Sequence, residues 1–420
     1  MSHHPNYRLT ARACYLGNFT QAIVVNLTPI LFIPLREQFG FSYGQFGLLV
    51  LVNFLTQVVF DILFSKAVDR HGFRPFVVTA HAVCVAGFGL FAAVPLLFPG
   101  HEYAGFMAAT VVFSAAGGLL ELLLSPIVDA LPGEEKAKAM AMLHSFYAWG
   151  QVAVVVGTTL FLYAFGAGSW QVIALLWMAI PLLNTVLFSI APLRRKAHEA
   201  QLMRVRDLVR HPVFIVAFLA ILFGGASEVT MSQWASSFLQ KGLGLPKIIG
   251  DTFGLTFFAV MLGVGRLLYG LYGHRLNLNR VMVAGSAVAI ACYVAVALSP
   301  WKGLSLVACG VTGLCVSLLW PGTLTEASAR LPMAGASMFA LLAAGGDIGC
   351  SLGPWLTGVI TDAAQAGLPA SFLGTLAATP EQMALRVGIL SATVLPVASL
   401  VLQAALRRGK NKTDISEKSD

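Results

Sequence analysis

Apolar segments recur twelve times along the chain, at roughly 13–34, 44–66, 76–98, 103–128, 143–165, 170–191, 213–239, 250–272, 281–299, 304–324, 334–360 and 384–406. Each is near the ~20 residues that an α-helix needs to cross the hydrocarbon core of a bilayer. They fall as six and six. Between the sets lies the most polar internal stretch, PLRRKAHEAQLMRVRDLVRHP (192–212), which predicts a short amphipathic helix on one membrane face. The pattern therefore predicts an all-α membrane protein of twelve transmembrane helices. Its N-terminal half is 1–191, its linker 192–212, its C-terminal half 213–406 and its tail 407–420.

Composition supports this reading. Of 420 residues, 57% are hydrophobic and 11% are charged, whereas a soluble domain carries about 25% charged residues. Arg8 and Arg12 precede the first apolar run, as in a signal peptide, but the run is long and has no small-residue cleavage site, so it is expected to be a retained first helix. With both termini in the cytoplasm, 21 of the 27 Lys and Arg residues fall inside, 5 fall outside and Arg266 alone lies within the membrane. That asymmetry agrees with the positive-inside rule and predicts a multi-pass inner-membrane protein. The net charge of +8 then reflects topology, not nucleic-acid binding. The six cysteines all lie in apolar runs, form no CxxC pair and suit helix packing.

Polar residues inside the apolar segments carry the candidate chemistry. Glu121 is the one ionisable residue in FMAATVVFSAAGGLLELLLSPIV, a 23-residue run. A carboxylate there costs at least ~2.5 kcal/mol and should face protein or water. Gly117, Glu121 and Ser125 share a helix face at i, i+4, i+8. Asn53, Gln57, Asp61 and Ser65 form a similar stripe on the second segment, with Asp61 open to a gating or a coupling role. Asn18, Gln21 and Thr28 on the first segment fall within one arc and, with Asn26, are candidate cavity residues. So are His144, Tyr147 and Gln151 on the fifth, where hydrogen-bonding groups beside aromatics suit a hydroxylated solute. The seventh segment offers Glu228 for coupling or binding. Its Gln233 and Trp234 form a candidate substrate platform, with a membrane-interface tryptophan as the alternative. Asp347 in GGDIGCSLG needs a cationic partner, and a pair of Arg266 with Asp347 or Glu326 is the expectation.

SKAVDRHGFRP (Ser65–Pro75) resembles the signature G-x-x-x-D-R-x-G-R-[RK] of the major facilitator superfamily. Asp69, Arg70, Gly72 and Arg74 match; Ser65 and Phe73 depart from it. The resemblance implies the major facilitator fold and a gate at this loop. GGLLELLLSPIVDALP, MLHSFYAWGQ and FGGASEVTMSQWASSFLQKGLGL further resemble the fourth, fifth and seventh helices of the fucose–galactose–glucose:proton symporter family. WPGTLTEASARLP and AAGGDIGCSLGPWLTGVITD resemble its tenth and eleventh helices more loosely. That resemblance implies proton-coupled sugar transport by a monomer. In that family the first helix carries a carboxylate used in coupling. Here QAIVVNLTPILFIPL has none, and Asn26 and Thr28 stand in its place.

No GxxxxGK[ST], HExxH or GxSxG motif is present, so neither ATP hydrolysis nor another catalytic constellation is expected, and no cofactor is expected. One proton moving through 100 mV releases ~2.3 kcal/mol, enough for a roughly 50-fold solute gradient. The expected function is a secondary transporter working by alternating access, taking up a small polar or sugar-like solute with protons. The alternative is a proton-driven efflux antiporter for amphipathic compounds, favoured by the 28 phenylalanines and the missing acid on the first helix.

Overall fold

The computed structural model describes residues 7–131, 136–193, 205–272, 276–331 and 334–416, and these are almost entirely helical. The chain forms two compact units, Met1–His198 and Glu199–Asp420.

In the first unit, α1 (Tyr7–Ile30) bends by 44° and continues as Phe32–Phe39. It is followed by α2 (Tyr43–His71), α3 (Phe73–Leu97), α4 (Glu102–Asp129) and α5 (Lys136–Phe165). The last helix, α6, is built from Trp170–Trp177 and Ala179–Ile190. In the second unit come α7 (Pro212–Ser237) and α8 (Phe257–Tyr272), the latter entered through a wide turn at Asp251–Thr256. Then follow α9 (Leu278–Leu298), α10 (Lys302–Val316 and Leu319–Arg330), α11 (Gly335–Gly367) and α12 (Pro380–Ser391 and Val394–Ser416). Among the described residues ten helices are long and apolar enough to cross a membrane, and the bent α1 makes eleven. At 33 residues, α11 reaches about 50 Å at 1.5 Å per residue and lies at the eleventh expected segment. Of the 192–212 stretch, Val205–Leu208 is a single helical turn, and 194–204 lie outside the described residues.

Local chemistry sets the helix ends. At the start of α2, Ser42 accepts from the Gln45 backbone N–H while the Gln45 side chain accepts from the Ser42 N–H, which satisfies two free donors at once. Gly72, from the loop signature, ends α2 and starts α3 as a single residue. Its φ of 84° is open to glycine and strained for other residues.

Helices approach closely where side chains are small. A Cβ on Gly87 of α3 would lie 2.7 Å from the Phe113 backbone nitrogen of α4. In the second unit, Gly349 of α11 presses against the Leu222 carbonyl of α7. Larger side chains fill the end of the first unit where α1, α3, α4 and α6 meet. There Phe91, Phe106 and Trp170 pack edge-on or tilted, and the Trp170 indole N–H donates to Gln38 at 2.6 Å.

Candidate functional site

In the first unit, three side chains form a hydrogen-bonded ladder. Gln21 of α1 donates to Gln57 of α2 at 2.6 Å, Gln57 donates to the Asn53 Oδ1 at 2.7 Å, and Asn53 donates to the Val24 carbonyl at 2.8 Å. All three side chains are buried. The ladder ties the α2 stripe to α1, where the expected carboxylate is absent.

The next rung of the same stripe is Asp61. It faces α4, because Gln57 one turn earlier already packs on Gly117 and Gly118. Side-chain oxygens of Asp61 and Glu121 lie within 4.8 Å of each other. Asp61 Oδ1 is buried and has no hydrogen-bond partner among the described residues. Glu121 is exposed, yet Gly117 on its face packs against Val24 and Gln57. Its opening is therefore on the protein side of α4, not toward lipid. Two carboxylates at this distance repel when both are ionised, and one proton shared between them relieves that repulsion. Sequence spacing shows each stripe but not that the two meet.

The other first-unit candidates are spread more widely. Asn26 is buried and donates to the Ala22 carbonyl of its own helix at 2.9 Å. Gln151 is buried and Tyr147 half-buried on α5. The His144 side chain lies outside the described residues, as do those of Asp69 and Arg70, although α5 and α2 run through these positions. Arg74, at the start of α3, donates to the carbonyls of Phe188, Ser189 and Ala191 at the end of α6. A cation there complements the negative end of the helix dipole.

In the second unit, the carboxylate on Arg266 is neither Asp347 nor Glu326. Arg266 Nη2 lies 3.4 Å from both oxygens of Glu228 on α7. Glu326 pairs instead with Arg330 one turn along α10, at 3.4 Å. The physical reason lies in a proline. In a continuous α10 the Ser317 carbonyl would accept from the N–H of residue 321, but Pro321 has no N–H. Arg266 Nε takes that carbonyl at 3.2 Å, which turns the guanidinium toward α7. Asp347 is buried on α11.

Trp234 is buried, and its indole N–H donates to the Pro354 carbonyl of α11 at 3.1 Å. Its polar edge is therefore occupied within its own unit. The neighbouring Gln233 is also buried. Two buried charged residues escaped the sequence reading. Asp251 accepts from Ser236 and pairs with Lys247 at 3.1 Å. Arg386, counted from sequence among the outer cations, is buried on α12 and donates to the carbonyls of Ala297 at 2.7 Å and Ser299 at 3.3 Å.

The Major Facilitator Superfamily profile matches residues 14–354. Among solved structures, a bacterial homologue of the human lysosomal transporter Spinster, in an inward-facing and occupied conformation, superposes with a TM-score of 0.78. The two are 16% identical over 97% of this chain and 98% of that one. The nucleoside transporter NupG gives a TM-score of 0.72 at 12% identity, over 95% and 99%. The E. coli fucose:proton symporter FucP gives 0.64 at 16% identity, over 95% and 99%. At these identities the likeness is one of fold. No curated protein matches the sequence.

Proposed function

The chain belongs to the major facilitator superfamily and is a multi-pass membrane transporter; from that premise we propose that it takes up a small polar or sugar-like solute together with protons. The observation that carries this reading is the Asp61–Glu121 pair. A proton shared by two carboxylates within 4.8 Å is easily loaded when the site opens to an acidic side and released when it opens to the other. The glutamine–asparagine ladder beside it offers amide donors and acceptors suited to hydroxyl groups, and it holds α2 in register with α1. Asp61 on α2 then supplies the second acid that a symporter of the resembled type has on its first helix.

The working cycle is alternating access, with protons and solute binding from one side and leaving on the other. Glu121 and Asp61 carry the proton, and Gln21 and Gln57 adjoin the solute path. The Lys and Arg bias supports placement in an inner membrane with both termini in the cytoplasm, working as a monomer.

The test is solute flux in proteoliposomes under an imposed pH gradient, with native protein and Glu121→Gln. Uptake that follows the inward proton gradient and collapses to equilibrium in the variant supports the reading. Export against that gradient would replace it with antiport. Flux indifferent to both pH and Glu121 would remove the coupling.

A further inference from the structure

Arg266 is a fixed cation with an unused hydrogen-bonding edge, inside a helix that crosses the membrane. Its Nε is held by the Ser317 carbonyl, left without a helical donor by Pro321. Its Nη2 stands at 3.4 Å from each Glu228 oxygen, longer than the 2.7–2.9 Å of a close charge-assisted bond. Among the described residues its Nη1 has no hydrogen-bond partner. The Arg266 side chain is 35% exposed and that of Glu228 17%. Charged side chains within membrane-spanning helices almost always face the bundle interior or a water-filled cavity. Leu268, 45% exposed, lies on the opposite side of α8 at 100° per residue. Leu262, one turn before Arg266 on the same side, is buried.

We propose that the Nη1–Nη2 edge of Arg266 binds a carboxylate carried by the transported solute, and that Glu228 is its internal competitor. This rests on the transport reading and narrows it: the solute is a small hydroxylated acid, such as a sugar acid, in place of a neutral sugar. A guanidinium presents two parallel N–H donors that match the two oxygens of a carboxylate. With Nε already anchored, that end-on edge is the one left for a ligand. The loose contact with Glu228 keeps the charge compensated when the site is empty, and it yields to a ligand that bonds both nitrogens. A cation without a partner inside the membrane would be costly, so a weak resident partner and a stronger visiting one is a workable design.

The experiment pairs acids with their neutral counterparts: galacturonate with galactose, and gluconate with glucose. Binding is read by thermal shift and calorimetry on purified full-length protein, and uptake is read in proteoliposomes. The expected result is binding and uptake of an acid and not of its neutral partner. Arg266→Lys keeps the charge but loses the second N–H of the fork and should weaken acid affinity about 10- to 100-fold, the scale of one hydrogen bond to a charged group. Glu228→Gln removes the competitor while keeping size and polarity, and should tighten acid affinity by about tenfold, one hydrogen-bonded pair's worth. Arg266→Gln should abolish acid uptake; should it fail to fold, the other two variants carry the test. Proton-driven uptake of a neutral sugar without its acid would overturn the carboxylate assignment and leave the transport reading standing. Acid uptake that is equal in the native protein, Arg266→Lys and Glu228→Gln would overturn the role of Arg266. Absence of binding and flux for every member of the panel would overturn the sugar-acid assignment.

Discussion

Gly118 of α4 stands directly against the backbone of Gln57 on α2: a Cβ added at Gly118 would lie 2.5 Å from the Gln57 carbonyl oxygen. That contact sets how closely the two helices run. One turn farther on, the same approach brings Asp61 and Glu121 together. Gly118→Ala should force the helices apart, because backbone atoms on the far side cannot swing away. Overpacking of this kind costs about 1–3 kcal/mol. The expected outcome is a lower Tm together with loss of proton-driven accumulation. Gly303→Ala, where nothing lies within 4 Å, is the control and should change neither. A fully active Gly118→Ala protein would mean that the close approach is not needed for coupling.

The Asp61–Glu121 pair predicts a specific kind of non-additivity. If the two acids hold one proton as a unit, Asp61→Asn and Glu121→Gln should each abolish accumulation, and the double variant should be no worse than either single one. Exchange of solute between equal pools, which needs no net proton movement, should persist in all three. The measurement is counterflow beside gradient-driven uptake in the same vesicles. Independent losses that multiply in the double variant would show that the acids act separately.

The part of this that sequence carried was the stripes, and the part it did not carry was their meeting. Apolar runs located the helices, ten or eleven of which are long and apolar enough to span a membrane among the described residues, and period-four polar residues put Gln57, Asp61, Gly117 and Glu121 on defined faces, because face membership is set by the 3.6-residue turn alone. Which face meets which is decided by tertiary packing. Asp61 of α2 was legible as gate or coupling residue but not as the neighbour of Glu121. Arg266 shows the same limit. Its partner was sought at Asp347 or Glu326, while Glu228, 38 positions upstream, takes it. The deciding signal was in the chain, in the Ser317–Pro321 spacing that frees a carbonyl, yet its use depends on α8 lying beside the break in α10. For Trp234 and Arg386 the sequence likewise held no sign of the carbonyls that their N–H groups bond, because those lie on neighbouring helices.

Arg386 therefore makes a stability prediction. It is 4% exposed and bonds the carbonyls of Ala297 and Ser299 at the end of α9, as Arg74 does for the end of α6. Arg386→Met keeps the volume of the stem but leaves buried carbonyls without donors. Bonds to a charged donor contribute about 1.5–3 kcal/mol, so the variant should melt several degrees lower in detergent. Lys at this position should recover part of the loss, since it restores charge at a helix end without the planar fork. Because the contact is a brace, the apparent KM of the folded fraction should be unchanged; a shift in KM with unchanged Tm would instead place Arg386 on the solute path.

Pro321 offers the most direct test of how Arg266 is aimed. In Pro321→Ala, residue 321 regains an N–H that can bond the Ser317 carbonyl and join the two pieces of α10 into one helix. Pro321 sits in the first turn of Leu319–Arg330, where proline is well tolerated. The stability change should therefore be small, near the ~1 kcal/mol of one net hydrogen bond, and in the stabilising direction. Arg266 Nε then competes for a carbonyl drawn into the helix axis, and the guanidinium is freed to rotate. The expected result is a Tm equal to or above the native value, with a KM for solute raised roughly tenfold, as for loss of one orienting hydrogen bond. A stabilised variant whose KM is unchanged would show that the Ser317 carbonyl does not position Arg266 for binding.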